Sequence, residues 1–441
     1  MDGPFFYLST PGSELPLVNA SKIWRQDCRI PNDVGQYRAA LAKETHLSRM
    51  KGNAMAILYV LALIALLVGT AAIYMALLKA FPVQWLYYHY FVRKPIVWSI
   101  LGGSLLWVGW QAYGAGSFPL AAVVPLGLIG LAVVLTYRMH QETAFPAVDF
   151  PAMSDDPLQL PLTDGMQVAV IEYGGESKAY PLDYVIHHHI INDRFGSHIV
   201  ALTYCAMCRS IIPFDVTDIG PLFVASFKNA NLVLADRRTR TFFQQATLES
   251  MIGRLHPHTL TIIPFQILPW GDVKKLNPLP KICRVVKNDF REFQLPIPGV
   301  WRKIMASEAT PGLPAAARDQ SFPARTHVVG VIDPTAEPHV VYIKSELIKQ
   351  RVVKNEALQA IFVARGNTVN AFKSRVAGSS LDLTAAADGA LTDKYSGTVW
   401  SIAGKRISGP IASDLAALAI SDEYWFSWKY YHPDSQLIRL P

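Results

Sequence analysis

The sequence predicts a mainly β (α+β) extracytoplasmic domain of two related β lobes, anchored by three N-terminal transmembrane helices. Long uncharged stretches lie early in the chain, and short apolar runs separated by turn residues follow them. Composition agrees, because 51% of the 441 residues are hydrophobic and only 17% are charged. The predicted organisation is a cytoplasmic segment 1–53, a three-helix transmembrane region 54–137, a first lobe 139–270, a linker 271–325 and a second lobe 326–441.

Three membrane spans are predicted from the uncharged stretches. Residues 54–78 carry no charge, and at about 1.5 Å per residue a helix of this length exceeds the roughly 30 Å hydrocarbon core. The next uncharged stretch, 95–137, is too long for one span and contains QAYGAGSFP at its centre, which predicts spans at 96–113 and 119–137. The aromatic segment 81–95 is predicted to be an interfacial loop or a short surface helix.

The distribution of basic residues predicts the orientation in the membrane. Seven basic side chains precede the first span, whereas only Arg138 closely follows the third, so the positive-inside rule places the N-terminus in the cytoplasm. Three spans then put residues 139–441 outside, and a bacterial inner membrane with a periplasmic domain fits best. Arg93 and Lys94 lie on the outer side in this topology, which argues against it. A cytoplasmic C-terminal domain is the alternative.

The region after residue 137 contains one order of signals twice. The matching pairs are Val170-Ile171-Glu172 with Val331-Ile332-Asp333, HIVALTY with QAIFVAR, and the stretch from Asp236 with the stretch from Asp393, which sets Gly253 opposite Gly409. The spacings agree within a few residues over the whole length. This agreement predicts two related β lobes, and the alternative is a chance similarity of strands.

The sharpest local signal is Cys205-Ala206-Met207-Cys208, directly after the strand-like HIVALTY. Two thiols at this spacing can close a small disulfide ring or bind one soft metal ion from the same side. A four-cysteine zinc site is not expected, because Cys28 is predicted across the membrane and Cys283 is solitary. Four cysteines in a chain this long also exclude a disulfide framework.

Three consecutive histidines, His187, His188 and His189, lie close upstream of the cysteines, and His188 and His189 are the candidate ligands. Neutral imidazole is a common ligand for copper, zinc and iron, and two thiolates with one or two histidines would make a low-coordinate site of the copper type. The alternative is a turn with solvated histidines. The second repeat has neither feature and reads Lys-Gln-Arg at 349–351 and Ala-Arg-Gly-Asn at 364–367. One lobe is therefore predicted to carry the chemistry.

The stretch GGESKAYPLDYVIHHHIINDRFGSHIVALTYCAMCRSIIPFD, followed by LADRRTRTFFQQATLESMIGRL, resembles the bacterial and archaeal family described as domain of unknown function 3179. The matching positions are Tyr180, Pro181, Leu182, His188, Asn192, Asp193, Thr203, Tyr204, Cys205, Cys208, Asp236, Arg237, Thr239, Gln244 and Gly253. The resemblance covers about 165–265 and the aromatic end 423–433. It does not extend to the three spans, and the family description implies no reaction.

The chain departs from the pattern of that family at three places. His189 stands where the family has Glu, Ala206-Met207 stands for Pro-Leu, and Phe242-Phe243 stands for paired Trp. The cysteines and His188 are present, so the resemblance supports the site but not a role for the missing carboxylate. Further candidate ligand-binding residues are Asn192, Asp193, Asp236, Arg237 and Gln244. For Asp236 and Arg237, a turn with an internal Asp and Arg pair is the alternative.

Three functions are consistent with these features. The first is a membrane-anchored extracytoplasmic site that binds copper through Cys205, Cys208 and His188. The second is a thiol–disulfide oxidoreductase, although no helix is predicted after the cysteines to lower a thiol pKa. The third is a non-catalytic accessory subunit of a larger membrane complex. Nucleic acid is not an expected partner, and no Walker loop, GxGxxG, HExxH or GxSxG motif is present.

Overall fold

A computed structural model provides the structure of the protein and describes residues 34–78, 80–154, 156, 160, 162–285, 303–332 and 339–441. The chain divides into two compact units, Met1–Tyr59 and Val60–Pro441. The second unit contains all elements discussed below except the start of the first helix. The residues Lys22, Arg25, Cys28 and Arg29 lie outside the described residues, as does part of the predicted linker.

Three helices are long and apolar enough to cross a membrane, as the sequence predicts. Helix α1 is Val34–Leu77, helix α2 is Val83–Ala115 and helix α3 is Val123–Arg138. They pack through small side chains, since Ala65 and Ala132 are fully buried and a Cβ on Gly69 would lie 2.8 Å from the Ala132 carbonyl oxygen. Such close approach is typical of helices that associate within a membrane.

Helix α2 corrects the prediction for the segment 81–95. This segment is not an interfacial loop, because the helix begins at Val83 and continues through Pro95 into the second span. A proline inside a helix removes one backbone hydrogen bond, and membrane helices tolerate this when neighbouring groups or local adjustments compensate. About 20 residues suffice to cross a bilayer, so the 33 residues of α2 are more than one span requires.

The first half of the strand-rich region contains fourteen named strands among the described residues. Their bounds are β1 Val148–Asp149, β2 Met153–Ser154, β3 Gln167–Tyr173, β4 Glu176–Pro181, β5 Ile190–Phe195, β6 His198–Cys205, β7 Ser210–Asp215, β8 Leu222–Lys228, β9 Asn231–Asp236, β10 Phe242–Gln244, β11 Ser250–Ile252, β12 Thr261–Ile262, β13 Phe265–Pro269 and β14 Lys281–Cys283. Short helices are α4 Gln141–Ala144, α5 Leu182–His188 and α6 Trp270–Val273.

The second half continues with short strands of the same kind. Their bounds are β15 His327–Val331, β16 Val340–Ile343, β17 Val352–Asn355, β18 Ala360–Arg365, β19 Thr368–Lys373, β20 Arg375–Val376, β21 Ser379–Ser380, β22 Leu383–Ala385, β23 Leu391–Asp393, β24 Val399–Trp400, β25 Arg406–Ser408, β26 Ile420–Tyr424 and β27 Gln436–Ile438. Helix α7 is Lys344–Gln350 and helix α8 is Trp425–Tyr431.

The sheets of the two halves have corresponding strand orders. One sheet has the order β13-β3-β4-β14-β2, and its counterpart has the order β26-β15-β16-β27, with the same antiparallel, antiparallel and parallel pairings along the first four strands. The antiparallel run β5-β6-β7 corresponds to β17-β18-β19, and the sheet β11-β10-β9-β8 corresponds to β25-β24-β23-β22. Helix α5 follows β4, and helix α7 follows β16, which occupies the corresponding place in the second sheet.

The hydrophobic core joins the two halves. Strand β3 alternates its side chains, so that Val168 packs in a cluster with Phe372 and Trp400 of the second half. Its neighbour Ala169 packs in another cluster with Leu202 of the first half. The sheet that contains β3 is therefore covered on both faces. The predicted division into lobes at 270 and 326 stays a prediction, and β14 of the predicted linker pairs with β4.

Candidate functional site

The two cysteines close the hairpin between β6 and β7. Cys205 ends β6 and pairs in register with Ser210 at the start of β7, so residues 206–209 form the turn. Cys205 and Cys208 are joined as a disulfide with their Cα atoms 5.7 Å apart. Cys205 is 3% exposed and Cys208 is fully buried. A strand, and not a helix, follows the pair, as the sequence predicts.

A buried polar network lies against Cys208. The Asn231 side-chain amide donates to Cys208 Sγ at 3.1 Å, and the Ser210 hydroxyl oxygen lies 3.3 Å from the same sulfur. The Ser210 hydroxyl donates to Gln245 Oε1 at 2.8 Å, and Gln245 Nε2 donates to Thr203 Oγ1 at 2.9 Å. All of these side chains are buried. Because unpartnered buried polar groups are costly, a closed network of this kind fixes the position of each member.

Gln244, a predicted ligand-binding residue, belongs to the edge of this network. Its Nε2 donates to Asn231 Oδ1 at 2.6 Å, and the backbone N–H of Ala246 donates to the same oxygen at 3.1 Å. The amide oxygen of Asn231 is thereby held between two donors. This arrangement turns the amide nitrogen of Asn231 toward Cys208 Sγ.

The two candidate histidines lie in different environments. His188 ends α5, and its Nδ1 lies 2.9 Å from the Pro146 carbonyl oxygen. His189 follows in the left-handed conformation at φ 64°, and its ring stacks on Phe145 with centroids 4.1 Å apart. Burial lowers the pKa of His189 to about 4, so its imidazole is neutral at pH 7. Its Nδ1 has no hydrogen-bond partner among the described residues.

Asn192 and Asp193 connect strands within the first half. Asn192 Nδ2 donates to Asp149 Oδ1 at 2.7 Å, and Asn192 Oδ1 accepts from the Leu222 backbone N–H at 2.9 Å. Asp193 Oδ2 accepts from the Tyr180 hydroxyl at 2.6 Å and lies 3.3 Å from Lys178 Nζ. Both side chains are buried. Their polar atoms therefore serve contacts between neighbouring elements of the fold.

Asp236 and Arg237 belong to the turn between β9 and β10. The Asp236 carboxylate accepts from the Thr241 backbone N–H at 3.1 Å and from both the backbone and the hydroxyl of Thr239. Arg237 extends away from this turn and pairs with Glu142 at 2.8 Å. The structure thus has the Asp in the turn itself, and the Arg bonds to α4 instead of to the Asp.

A cluster of charges lies on the other side of the CxxC turn. Asp422 of β26 forms ion pairs with Arg209 at 2.8 Å and with Lys344, and His327 Nδ1 lies 3.9 Å away. Burial alone would raise the pKa of Asp422, but His327, Arg209 and Lys344 together hold it below its usual value. A cavity of about 40 Å³ adjoins Arg209 and Asp422, which is room for one or two water molecules.

The sequence analysis did not select Ser210, Asn231, Gln245 or Asp422 as candidate residues. These residues are far apart in the sequence. In the folded chain, Ser210, Asn231 and Gln245 form the network next to Cys208, and Asp422 pairs with Arg209. A signal was present, since Asn231 begins the apolar run NLVLAD and Gln245 adjoins an apolar pair. A polar side chain within a buried strand indicates a hydrogen-bond network.

The cysteines and histidines do not form a metal-binding group in the structure. Within the described ranges, no three His, Cys, Asp or Glu side chains are grouped so that they could hold a metal ion. The two sulfurs bond to each other instead. Copper(I) binding would require the reduced thiols, so a copper site stays a prediction.

Comparison with known proteins identifies the family. The family described as "Protein of unknown function (DUF3179)" matches residues 142–435. The chain belongs to the DUF3179 family. No curated protein and no solved structure matches the chain. The DUF3179 match confirms the predicted resemblance and extends it through the second half, so the family region contains both hairpins and begins after the three apolar helices.

Proposed function

We propose that this DUF3179 protein is a membrane-anchored extracytoplasmic protein whose Cys205–Cys208 pair exchanges with the thiols of a partner. The observation that carries the proposal is the hydrogen-bond donor at Cys208 Sγ, the Asn231 amide at 3.1 Å. A disulfide sulfur is a weak acceptor and does not need a polar neighbour, whereas a thiolate is stabilised by one. A donor at this sulfur therefore supports a role for the reduced form of Cys208.

The proposed exchange has two steps. A partner thiolate attacks Cys205 Sγ, a mixed disulfide forms, and the Cys205–Cys208 bond breaks so that its electron pair stays on Cys208. The Asn231 amide already faces this sulfur, and rotation of the Ser210 hydroxyl from Gln245 would supply a second donor. A second partner thiolate then releases Cys205, so the partner dithiol is oxidised and the CxxC pair is reduced. A lower leaving-group pKa speeds the first step.

Burial limits the exchange. Cys205 is the more exposed of the two sulfur-bearing residues, at 3%, so it is the one that a partner attacks. Both cysteines pack in one apolar cluster with Leu313 and Phe426. The turn 206–209 must therefore move before a partner thiol can reach the sulfur, and the exchange is expected to be slow.

We further propose that the C-terminal region is periplasmic. Three spans would put residues 139–441 on the side opposite the N-terminus, and a disulfide is typical of an oxidising compartment. Contacts support this side for the strand-rich region: Lys228 Nζ donates to the Leu78 carbonyl at 2.9 Å, at the end of α1. Alkaline phosphatase fused after Pro441 is expected to be active in a bacterial host, and an active cytoplasmic reporter at the same point would reverse the topology.

We also infer that the two halves are copies of one β unit, and that only the first carries the exchanging pair. The corresponding strand orders support this inference. So do Trp270 and Trp425, which begin the short helices α6 and α8 after corresponding strands β13 and β26. Residues of both halves pack in shared apolar clusters, so neither half has a separate core.

The proposal is tested by the redox equilibrium of the full chain in detergent. The oxidised fraction of Cys205 and Cys208 is measured by thiol labelling across glutathione buffers, in wild type and in Asn231→Leu. Loss of one hydrogen bond to a charged group, about 1.5 kcal/mol, is expected to make reduction harder by about 30 mV. The pH at which the reduced protein is half-alkylated should also rise.

A matched control separates this effect from general destabilisation. Asn370→Leu removes another buried asparagine, which bonds to the Ile267 backbone and not to sulfur. It should leave the redox equilibrium unchanged. A cysteine pair that stays oxidised in every buffer, or the same shift in both variants, would overturn the proposal. Stoichiometric copper(I) binding by the reduced wild type without glutathione exchange would favour the metal prediction instead.

A further inference from the structure

The turn between β9 and β10 carries an exposed cluster of arginines. Residues 236–241 read DRRTRT, and the side chains of Arg237, Arg238 and Arg240 are exposed. Hydrogen bonds of Asp236, Thr239 and Thr241 close the turn. Of the three arginines, Arg238 also donates through Nε to the Ile219 carbonyl at 3.2 Å, which leaves its terminal nitrogens for another partner. The shape of the turn therefore does not explain why it contains three exposed arginines.

The second half contains the same turn without arginines. Residues 393–398 read DKYSGT, and the Asp393 carboxylate accepts from the Ser396 backbone N–H at 2.8 Å and from its hydroxyl at 2.7 Å. The hydroxyl of Ser396 then bonds to Thr398 as Thr239 bonds to Thr241. One scaffold thus supports two different sets of exposed side chains.

Arg240 occupies a backbone position that favours glycine. Its φ is 56°, in the left-handed region, and the corresponding residue of the second half is Gly397 at φ 66°. A side chain with a Cβ is disfavoured in this region, whereas glycine adopts it freely. The first half therefore has an arginine where the fold alone would favour glycine.

The turn lies beside the part of α2 that leaves the membrane. The Arg240 guanidinium lies 5.2 Å from the centre of the Phe91 ring. One turn further along α2, Lys94 lies 4.8 Å from the Tyr137 ring, and the Trp98 indole donates to the Tyr137 hydroxyl at 3.1 Å. Trp and Tyr mark the surface of a membrane, and Phe91 is about 4.5 Å beyond Lys94 along the helix. This distance places Arg240 at headgroup depth.

The charges of the turn are only partly neutralised by the protein. Arg237 pairs with Glu142, and its guanidinium stacks on Phe223 at 4.5 Å. Neither Arg238 nor Arg240 forms an ion pair with a carboxylate in the part of the chain that the structure describes. A guanidinium is planar and matches two oxygens of a phosphate, which suits it to a phospholipid headgroup.

We propose that Arg238 and Arg240, together with Lys94, bind the phosphate groups of anionic phospholipids at the membrane surface next to the strand-rich region. The proposal rests on the membrane anchoring proposed above but not on the redox chemistry. Binding would fix the strand-rich region against the bilayer at the end of α2. The matching turn of the second half, with Lys394 paired to Asp382, has no such role.

The test uses the full chain in detergent, titrated with phosphatidylglycerol or phosphatidylcholine and followed by native mass spectrometry. Wild type is expected to prefer phosphatidylglycerol, and higher salt should weaken that preference. Arg238→Gln and Arg240→Gln should each weaken phosphatidylglycerol binding roughly fivefold, as expected for one surface arginine. Lys394→Gln is the matched control and should change nothing, while Arg240→Lys should keep most of the binding.

Equal binding of both lipids by wild type, or unchanged phosphatidylglycerol binding in the Arg238→Gln/Arg240→Gln double variant, would overturn the proposal. Circular dichroism of each variant excludes misfolding as the cause of a loss. Failure of the anchoring proposal is a different result, since the wild-type chain would then be released from bacterial membranes by alkaline carbonate.

Discussion

Two hairpins in corresponding places differ in the length of their turns and in the presence of a disulfide. In β6–β7 the register closes at Cys205 and Ser210, so four residues form the turn. In β18–β19 the register closes at Arg365 and Thr368, so only Gly366 and Asn367 form it. The longer turn of the first half contains Cys208 and Arg209. Two additional residues thus separate a hairpin with a disulfide from a plain one.

Both hairpins form an ion pair with the other half of the strand-rich region. Strand pairing sets Arg365 at the place of Cys205, which corrects by one residue the sequence match of HIVALTY with QAIFVAR, and Arg365 pairs with Asp272 of α6. In the first hairpin, Arg209 pairs with Asp422 of the second half. Each hairpin therefore bonds to the other half, and only the first also encloses a polar network around sulfur. The two halves have corresponding strand orders, and the disulfide with its polar network is present in the first of them.

The largest test of this comparison concerns two glycines, Gly253 and Gly409. Their φ values are 128° and 105°, and a Cβ on either would lie 2.4 Å from the Cα of Thr241 or Thr398. Backbone strain and overlap with backbone are expected to lower the free energy of unfolding by about 4 kcal/mol in Gly253→Ala and in Gly409→Ala alike. Thermal unfolding in detergent measures both.

Gly366→Ala serves as the control for these two variants. Gly366 has φ 58° but open space around its Cα, so only backbone strain applies and about 1 kcal/mol is expected. If Gly253→Ala were severe while Gly409→Ala resembled this control, the correspondence between the two halves would fail at these turns.

The correspondence of Gly253 with Gly409 was predicted from the sequence alone. Each glycine follows an Asp, Asp236 or Asp393, at nearly the same spacing, although the side chains between them differ. The apolar helices could also be predicted from the sequence, since length and lack of charge suffice to predict them. The extension of α2 to Val83 was not, because its aromatic and basic residues are typical of an interface whether or not they are helical. The network around Cys208 depends on strand pairing, which no local pattern specifies.

A second test uses a buried carboxyl group that only the second half contains. Glu423 is 3% exposed, and its counterpart on β13 is the fully buried Leu268. Burial raises the pKa of Glu423 to about 7, although Ser427 and Ser421 partly oppose the shift. Folding therefore favours the protonated form, and the wild type loses about 3 kcal/mol of stability as the pH rises from about 4.5 to about 7.

Glu423→Gln removes this titration while keeping the shape of the side chain. Its stability relative to wild type is expected to be about 3 kcal/mol more favourable at pH 8 than at pH 4, where the wild-type carboxyl is protonated in both states. Denaturant unfolding at the two pH values measures the difference. A pH-independent difference would mean that Glu423 is ionised in the folded protein and has a partner that compensates its charge.

The smallest expected effect is the most direct test of why the first half differs. Arg240→Gly should stabilise the fold by about 0.5 kcal/mol, because relief of the left-handed strain exceeds the entropy that glycine loses on folding. The reverse exchange, Gly397→Arg, should destabilise it by a similar amount. A two-variant comparison of unfolding midpoints decides this. If Arg240→Gly instead lowered stability in lipid-free detergent, the guanidinium would contribute to the fold itself through Phe91, and its placement would need no membrane to explain it. If it raised stability, Arg240 would carry a backbone cost that Gly397 avoids, and the proposed contact of its guanidinium with lipid phosphate would be the function that offsets this cost.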